Sequence, residues 1–352
     1  MGRLTELMLK MIDLDASDLH LAVGTEPTFR IDGRLQRASG WSPLRGEEIS
    51  SILSEILDPN HKRVFEERRE CDFAFEIEGK ARYRVNLFYH QGSPGASIRL
   101  IPNRIRSIEE LGLPLVLKDL AMKLRGLILV TGPTGSGKNT TLAAMVDYIN
   151  ENASRKIITI EDPIEYVHKH KKSLIVQREV GVDTHDFASG VKYALRQDPD
   201  VILIGEMRDL ETISAAITAA ETGHLVMTTL HTPDAPQTID RIIDVFPPHQ
   251  QNQIRVQLSN VIQGVISQQL LPKKDKGRVV AVELMVATPA IRNLIREGKT
   301  AQIYSVIQTG AKLGMQTMDQ AIAKLYKKGL ISKEVAMEFA HNPDILEKLL
   351  IA

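Results

Sequence analysis

The sequence contains one cysteine, Cys71, in 352 residues. That excludes an internal disulfide and any zinc site built on four thiolates. It also lacks an excess of either charge: 44 Lys and Arg balance 44 Asp and Glu. Net charge therefore points to no long polyanion as a standing partner, and nucleic acid is not expected. No apolar run approaches the roughly 20 residues that cross a bilayer, and the first residues lack a signal peptide's uninterrupted apolar core. The single cysteine is consistent with a reducing cytoplasm, and any membrane association is expected to go through a partner. With 43% hydrophobic and 25% charged residues the composition is that of an ordinary globular protein. The length exceeds what one core usually serves, so two domains are expected.

Along the first hundred residues helical and strand patterns mix. Leu4, Leu7, Met8, Met11 and Ile12 recur at helical spacing. Phe29 to Ile31, Asp32-Gly33 and Arg34-Leu35 read as a hairpin, because Asp-Gly suits a two-residue turn. Ile49 to Leu57 reads as a helix stopped by Asp58-Pro59. In the stretch from Cys71 to Phe88, Phe73, Phe75 and Ile77 alternate with polar residues, Gly79 turns the chain, and Tyr83, Val85 and Leu87 alternate again. Strict alternation collects Arg82, Arg84 and Asn86 on the opposite face, and the next strand, Ser97 to Ile101, adds Arg99. Pro102 to Ser107 breaks the pattern, and Ser107 with Glu110 has the spacing of a capping box opening a helix. The boundary is placed there: a first α+β domain over 1–102, a linker over 103–107, and an α/β domain over 108–352.

The second domain alternates apolar strands, Leu127 to Thr131, Lys156 to Ile160, Val201 to Ile204 and Leu225 to Leu230, with helical segments. That order argues for a mainly parallel sheet binding ligand at the carboxyl ends of its strands. Gln250 to Leu270 reads as one helical stretch, followed by helices over 290–298 and 317–328 and in the tail near Ser332 and Pro343.

Chemistry concentrates at the four strand ends. After the first come Gly132, Pro133, Thr134, Gly135, Ser136, Gly137 and Lys138, then Asn139 and Thr140. This is a phosphate loop: glycines let backbone N–H groups converge on phosphate, the lysine meets the β and γ oxygens, and the following helix offers its positive end. ATP with Mg2+ is the expected ligand pair. The position after the lysine should carry a hydroxyl for Mg2+, and Asn139 stands there instead. Its amide is longer and neutral, so weaker metal binding and slower hydrolysis are expected. After the second strand, Glu161, Asp162 and Glu165 lie within five residues, an acidic cluster that needs a compensating cation and could activate water. The third strand ends in Gly205-Glu206, a carboxylate placed to hold the metal shell or orient water. The fourth is flanked by His224 and His231, spaced poorly for zinc and better suited to sensing a γ-phosphate or meeting the acidic cluster.

Taken together, these motifs resemble the secretion-superfamily ATPases. Ile158 to Tyr166 resembles that family's Asp box, Ile204 to Asp209 its Walker B element and Thr222 to Thr232 its His box. Ala290 to Lys299 is similar to the signature helix of the retraction-type pilus motors, and Ala16 to Leu21 with Gly24 and Pro27 resembles the start of their N-terminal domain. The resemblance implies a PAS-like N-terminal domain and a RecA-like P-loop ATPase domain, assembled as a homo-hexamer. It implies work on a type IV pilus through an inner-membrane platform protein, at the cytoplasmic face of a bacterial inner membrane. Glu161 and Glu206 would handle water and metal, and Arg84 and Arg99, with Arg82 a weaker candidate, would reach the nucleotide; Arg196 and Arg241 are candidates for contacts between subunits. An extension or secretion motor of the same superfamily is the nearest rival, but its usual four-cysteine element is missing. A RecA-like nucleic-acid motor and a P-loop phosphotransferase are the rivals from other classes.

Overall fold

The computed structural model describes residues 2–31, 33–101 and 104–351. The chain divides into two compact units: Met1–Arg104 with Pro163–Val167, and Ile105–Asp162 with His168–Ala352. Asn103 of the expected linker and Pro102 just before it lie outside the described residues, as does Asp32 of the first hairpin.

The first unit runs α1 (Arg3–Asp13), β1 (Ala16–Leu21), β2 (Thr28–Ile31), β3 (Arg34–Arg37), α2 (Gly46–Leu53), α3 (Pro59–Arg68), β4 (Glu70–Ile77), β5 (Ala81–His90) and β6 (Ser93–Ile101). Its six strands form an antiparallel sheet in the order β3-β2-β1-β6-β5-β4. Alternation works as read along β5: Ala81, Tyr83, Val85 and Leu87 are buried, while Arg82, Arg84 and Asn86 are only partly covered. Leu4, Leu7, Met8 and Met11 of α1 join the core under that face, and the buried Tyr83 hydroxyl donates to the Met8 carbonyl at 2.7 Å. One expectation needs correction. The helix expected to run to Leu57 ends at Leu53 and is followed by a turn over 54–56; Asp58-Pro59 does not stop it but begins α3, where Asp58 accepts from the N–H groups of Asn60 and His61, and Pro59 occupies the first helical position, where its missing N–H costs nothing.

The second unit continues with α4 (Val116–Ala121), β7 (Gly126–Thr131), α5 (Lys138–Asn152), β8 (Lys156–Glu161), β9 (Leu174–Glu179), α6 (Phe187–Ala194), β10 (Val201–Ile204), α7 (Leu210–Glu221) and β11 (Leu225–Leu230). Then come α8 (Ala235–Asp244), α9 (Pro248–Val261), β12 (Ile262–Pro272), β13 (Arg278–Val286), α10 (Pro289–Arg296), α11 (Ile303–Thr309), α12 (Met318–Lys327), α13 (Lys333–Glu338) and α14 (Pro343–Ile351). The sheet order is β13-β12-β7-β11-β10-β8-β9, parallel throughout except for the β12–β13 pair. Both faces are covered. Leu127, Leu129, Ile158, Ile160, Ile202 and Ile204 pack to one side, while Ile128, Val130, Ile157, Val201 and Leu203 pack to the other. This explains why these strands read as unbroken apolar runs. A separate apolar cluster, including Leu271, Met318, Ile322, Ile331 and Leu346, holds the C-terminal helices.

Two expectations fail here for identifiable reasons. The single helix over 250–270 is instead α9 followed by β12. Ile262, Val265 and Ile266 suit either period, and pairing with β7 and β13 decides for strand. At Ser107 both capping bonds form, Ser107 N–H to Glu110 at 2.9 Å and Glu110 N–H to Ser107 Oγ at 3.2 Å. They close a turn, because Gly112 adopts φ +69° and Pro114 follows, and the helix waits until Val116.

Candidate active site

In the parallel sheet β7, β11, β10 and β8 are neighbours in that order, so their carboxyl ends form one edge. The phosphate loop leaves β7 at Thr131 and enters α5 at Lys138. Gly132, Gly135 and Gly137 hold φ of +139°, +79° and +87°, values that L side chains rarely adopt. A Cβ at Gly132 would stand 2.2 Å from the Gln268 carbonyl oxygen. Pro133, Thr134 and Gly135 are exposed, whereas Ser136 is buried with its Oγ lacking a hydrogen-bond partner. Lys138 is 8% exposed, and its Nζ donates to the carbonyls of Gly132 at 2.8 Å and Pro133 at 3.2 Å. Asn139 is exposed and Thr140 half-buried in the first turn of α5, where backbone N–H groups have no helical partner and the dipole end is positive.

His231, just past β11, joins the lysine to the Walker B carboxylate. Its Nε2 lies 2.9 Å from Glu206 Oε1, and its Nδ1 lies 3.5 Å from Lys138 Nζ. The ammonium can only donate and the carboxylate only accept, which places the ring hydrogen on Nε2. Arg208 Nε also donates to Glu206 Oε1, at 2.5 Å. Lys138, His231, Glu206 and Arg208 thus form one connected series across three adjacent strand ends.

On the next strand, Glu161 Oε1 accepts from Thr159 Oγ1 at 2.6 Å and from Gln177 Nε2 at 3.1 Å. The amide oxygen of Gln177 accepts the His168 N–H at 2.8 Å, fixing which way the amide faces. Among the described residues no group of three or more His, Cys, Asp or Glu side chains forms a metal cluster. Of the expected acidic cluster, Glu161 and Asp162 belong to the second unit, and Glu165 groups with the first. There Glu165 lies 3.7 Å from Arg84 Nη1, a compensating cation of the kind the acids required.

Arg84 and Arg99 are cross-strand partners on β5 and β6. Like charges placed so are unfavourable unless each finds an acid. Arg99 donates to Asp18 at 2.8 Å. Burial pushes the Asp18 carboxyl up, but hydrogen bonds from Ser17 and Arg99 outweigh it and hold the group below the usual carboxylate range. Arg82 Nε donates to the Ile164 carbonyl at 3.0 Å. His224 does not join the site: it lies at the opposite end of β11 from His231, and its Nδ1 is 2.9 Å from the Ala219 carbonyl near the end of α7.

Thr141, Thr159, Gln177, Arg208, Thr229 and Gln268 escaped sequence reading. Thr159 and Thr229 sit inside apolar strands, where a hydroxyl signals nothing until a partner is known; Thr229 Oγ1 donates to the Gly205 carbonyl at 2.6 Å. Only Arg208, two residues beyond Glu206, could have been suspected from spacing.

The site has counterparts. The type II/IV secretion system protein family matches residues 3–337. The Pseudomonas aeruginosa type IV pilus retraction ATPase PilT is 52% identical over 341 residues, covering 97% of this chain and 99% of that one. A twitching motility protein of Neisseria gonorrhoeae is 48% identical over 342 residues, covering 97% and 91%. A crystal structure of the pilus retraction motor PilT with bound ADP superimposes with a TM-score of 0.91 at 50% identity, covering 99% of both chains. The chain belongs to the type II/IV secretion system protein family, in its group of pilus retraction ATPases.

Proposed function

We propose that this chain is a Mg2+-dependent ATP hydrolase that works as a homo-hexamer and powers type IV pilus retraction. It acts on an inner-membrane platform protein from the cytoplasmic face. Among the described residues no helix is long and apolar enough to cross a membrane, which accords with attachment through such a partner. The observation that carries the catalytic part is the connected series of Lys138, His231 and Glu206 at the edge of one parallel sheet.

The residues fit a nucleotide and its metal. Three glycines keep side chains out of the cradle, and Ser136 Oγ is a buried polar atom without a partner. Gly132 to Lys138, with Asn139 and Thr140, would hold the phosphates; Asn139, Glu161 and Glu206 would hold Mg2+. When bound, the metal supplies positive charge to the phosphate oxygens. Few protein ligands suffice, because Mg2+ keeps water and phosphate oxygens in its shell. Lys138 is the fixed cation at the phosphates. His231 positions Glu206 through its Nε2 hydrogen, and Glu161, held by Thr159 and Gln177, is the base that turns a water toward the γ-phosphate. Arg84 and Arg99 are assigned to transition-state charge, a role worth roughly 10³ to 10⁵ in rate where arginines perform it. On this reading a PAS-like domain over 1–102 and a RecA-like domain over 108–352 move about the linker at 103–107.

Glu206→Gln is expected to retain ATP and turn over poorly, measured by nucleotide binding and phosphate release. Turnover at the parental rate would remove Glu206 from the mechanism. Light scattering with ATP and Mg2+ tests the ring, and a monomer under all conditions would refute it.

A further inference from the structure

We propose that Gln268, acting with Thr141, is the positioning residue that fixes the phosphate loop in its nucleotide-holding shape. This rests on the P-loop reading above and assigns the loop's order to a strand outside the motif.

Gln268 lies on β12 and is 1% exposed. Its Nε2 donates to the Ser136 carbonyl at 2.7 Å, and its Oε1 accepts from Thr141 Oγ1 at 2.9 Å. Because a carbonyl can only accept, the amide has one orientation, and both ends are then used. The backbone of the same residue closes on the loop's first glycine, where a Cβ would come within 2.2 Å of the Gln268 carbonyl. A Cβ at Gly137 would stand 3.3 Å from Gln268 Nε2. One buried residue therefore touches the loop's beginning, its last turn and the helix that follows.

The consequence is set by peptide geometry. In a planar trans peptide the C=O of one residue and the N–H of the next point in opposite directions. Pinning the Ser136 carbonyl to Gln268 turns the Gly137 N–H the other way, toward the side of the loop that must donate to phosphate. The anchor itself is rigid: Ser267 pairs with Thr131 of β7, and Thr131 Oγ1 donates to Ser267 Oγ at 2.8 Å. Three residues beyond Gln268 toward the strand's end, Leu271 is buried in the cluster that includes Met318 and Ile322 of α12 and Ile331 just after it. The strand that shapes the loop is thereby also packed into that helical cluster.

The test is binding of a fluorescent ADP analogue to the full chain in five variants. Thr141→Val, which leaves Gln268 Oε1 buried without a donor, is expected to weaken binding about tenfold, the scale of one buried hydrogen bond. Thr141→Ser keeps the hydroxyl and is expected to bind within about twofold of the parent. Gln268→Leu is expected to weaken binding at least as much, and adding Thr141→Val to it should cost nothing more, because the two act as one unit. Parental binding by Thr141→Val, or equal losses in the Val and Ser variants, would overturn the proposal; equal losses would mean that packing and not the hydrogen bond matters. Lys138→Ala separates the two levels: if it binds like the parent, the P-loop reading itself fails, whereas its loss beside an unaffected Thr141→Val fails the clamp alone.

Discussion

Glu283 offers a stability experiment whose sign follows from the fold. It lies on β13 with no exposed surface. Its carboxyl accepts the N–H of Ala235 at 2.9 Å and that of Met318 at 3.4 Å, the first residues of α8 and α12. Burial pushes the group up to about 7, with Asp234 and Asp319 adding to the rise and the two backbone donors opposing it. The folded chain thus holds this proton more tightly than the unfolded chain, where the ordinary value is 4.5. The stabilisation is complete below about pH 4.5 and is lost as pH rises to about 7. The rise from 4.5 to about 7 corresponds to a ceiling of about 3 kcal/mol. The positive ends of the two helices, worth roughly 0.3 to 2 kcal/mol each toward a nearby anion, reduce what is observed.

Glu283→Gln has nearly the shape of the protonated acid. Its one amide oxygen can keep the 2.9 Å bond from Ala235 and gives up only the longer 3.4 Å one from Met318, so it should lie close to the parent at pH 5, where the folded parent is largely protonated. At pH 8 the variant avoids a buried charge and should be the more stable, by roughly 1 to 3 kcal/mol. For a unit of this size that is a higher Tm by about 2 to 6 °C. The assay is thermal unfolding of both proteins in steps from pH 5 to 8, plotted as a difference so that groups common to both cancel. A difference that stays flat, or a variant that is less stable at pH 8, would refute the argument that burial dominates at this carboxyl.

Other perturbations test separate parts. Asn139→Ser restores a hydroxyl after the P-loop lysine and is expected to lower the Mg2+ needed for half-maximal activity and to raise turnover, on the order of tenfold; an unchanged Mg2+ titration would make the asparagine harmless. Gln177→Leu removes the 3.1 Å amide donor to Glu161 and should lower kcat on the order of tenfold with little change in KM, since ground-state phosphate contacts are untouched. A KM effect alone would argue against it. Tyr83→Phe leaves the Met8 carbonyl without its buried donor and should cost about 1 to 2 kcal/mol in urea unfolding, with an unchanged m-value.

What could be read from sequence follows the range of the interactions involved. Four strand ends with P-loop, Glu161, Glu206 and His231 were legible because apolar period and motif are both local, and a parallel sheet must present those ends on one edge. β12 was not legible, because Ile262, Val265 and Ile266 satisfy helix and strand alike, and the deciding partner, β7, is more than a hundred residues away. The same distance hides the supporting side chains: Gln268 meets Ser136 across 132 residues and Gln177 meets Glu161 across 16. Residues that carry charge to a substrate therefore announce themselves by type. Residues that hold them in place are neutral amides and hydroxyls, common everywhere in the chain, and only the pairing of strands gives them a role. His224 shows the converse: a reactive residue type near a motif, placed by strand direction at the wrong end of β11, where it meets the Ala219 carbonyl and no phosphate site.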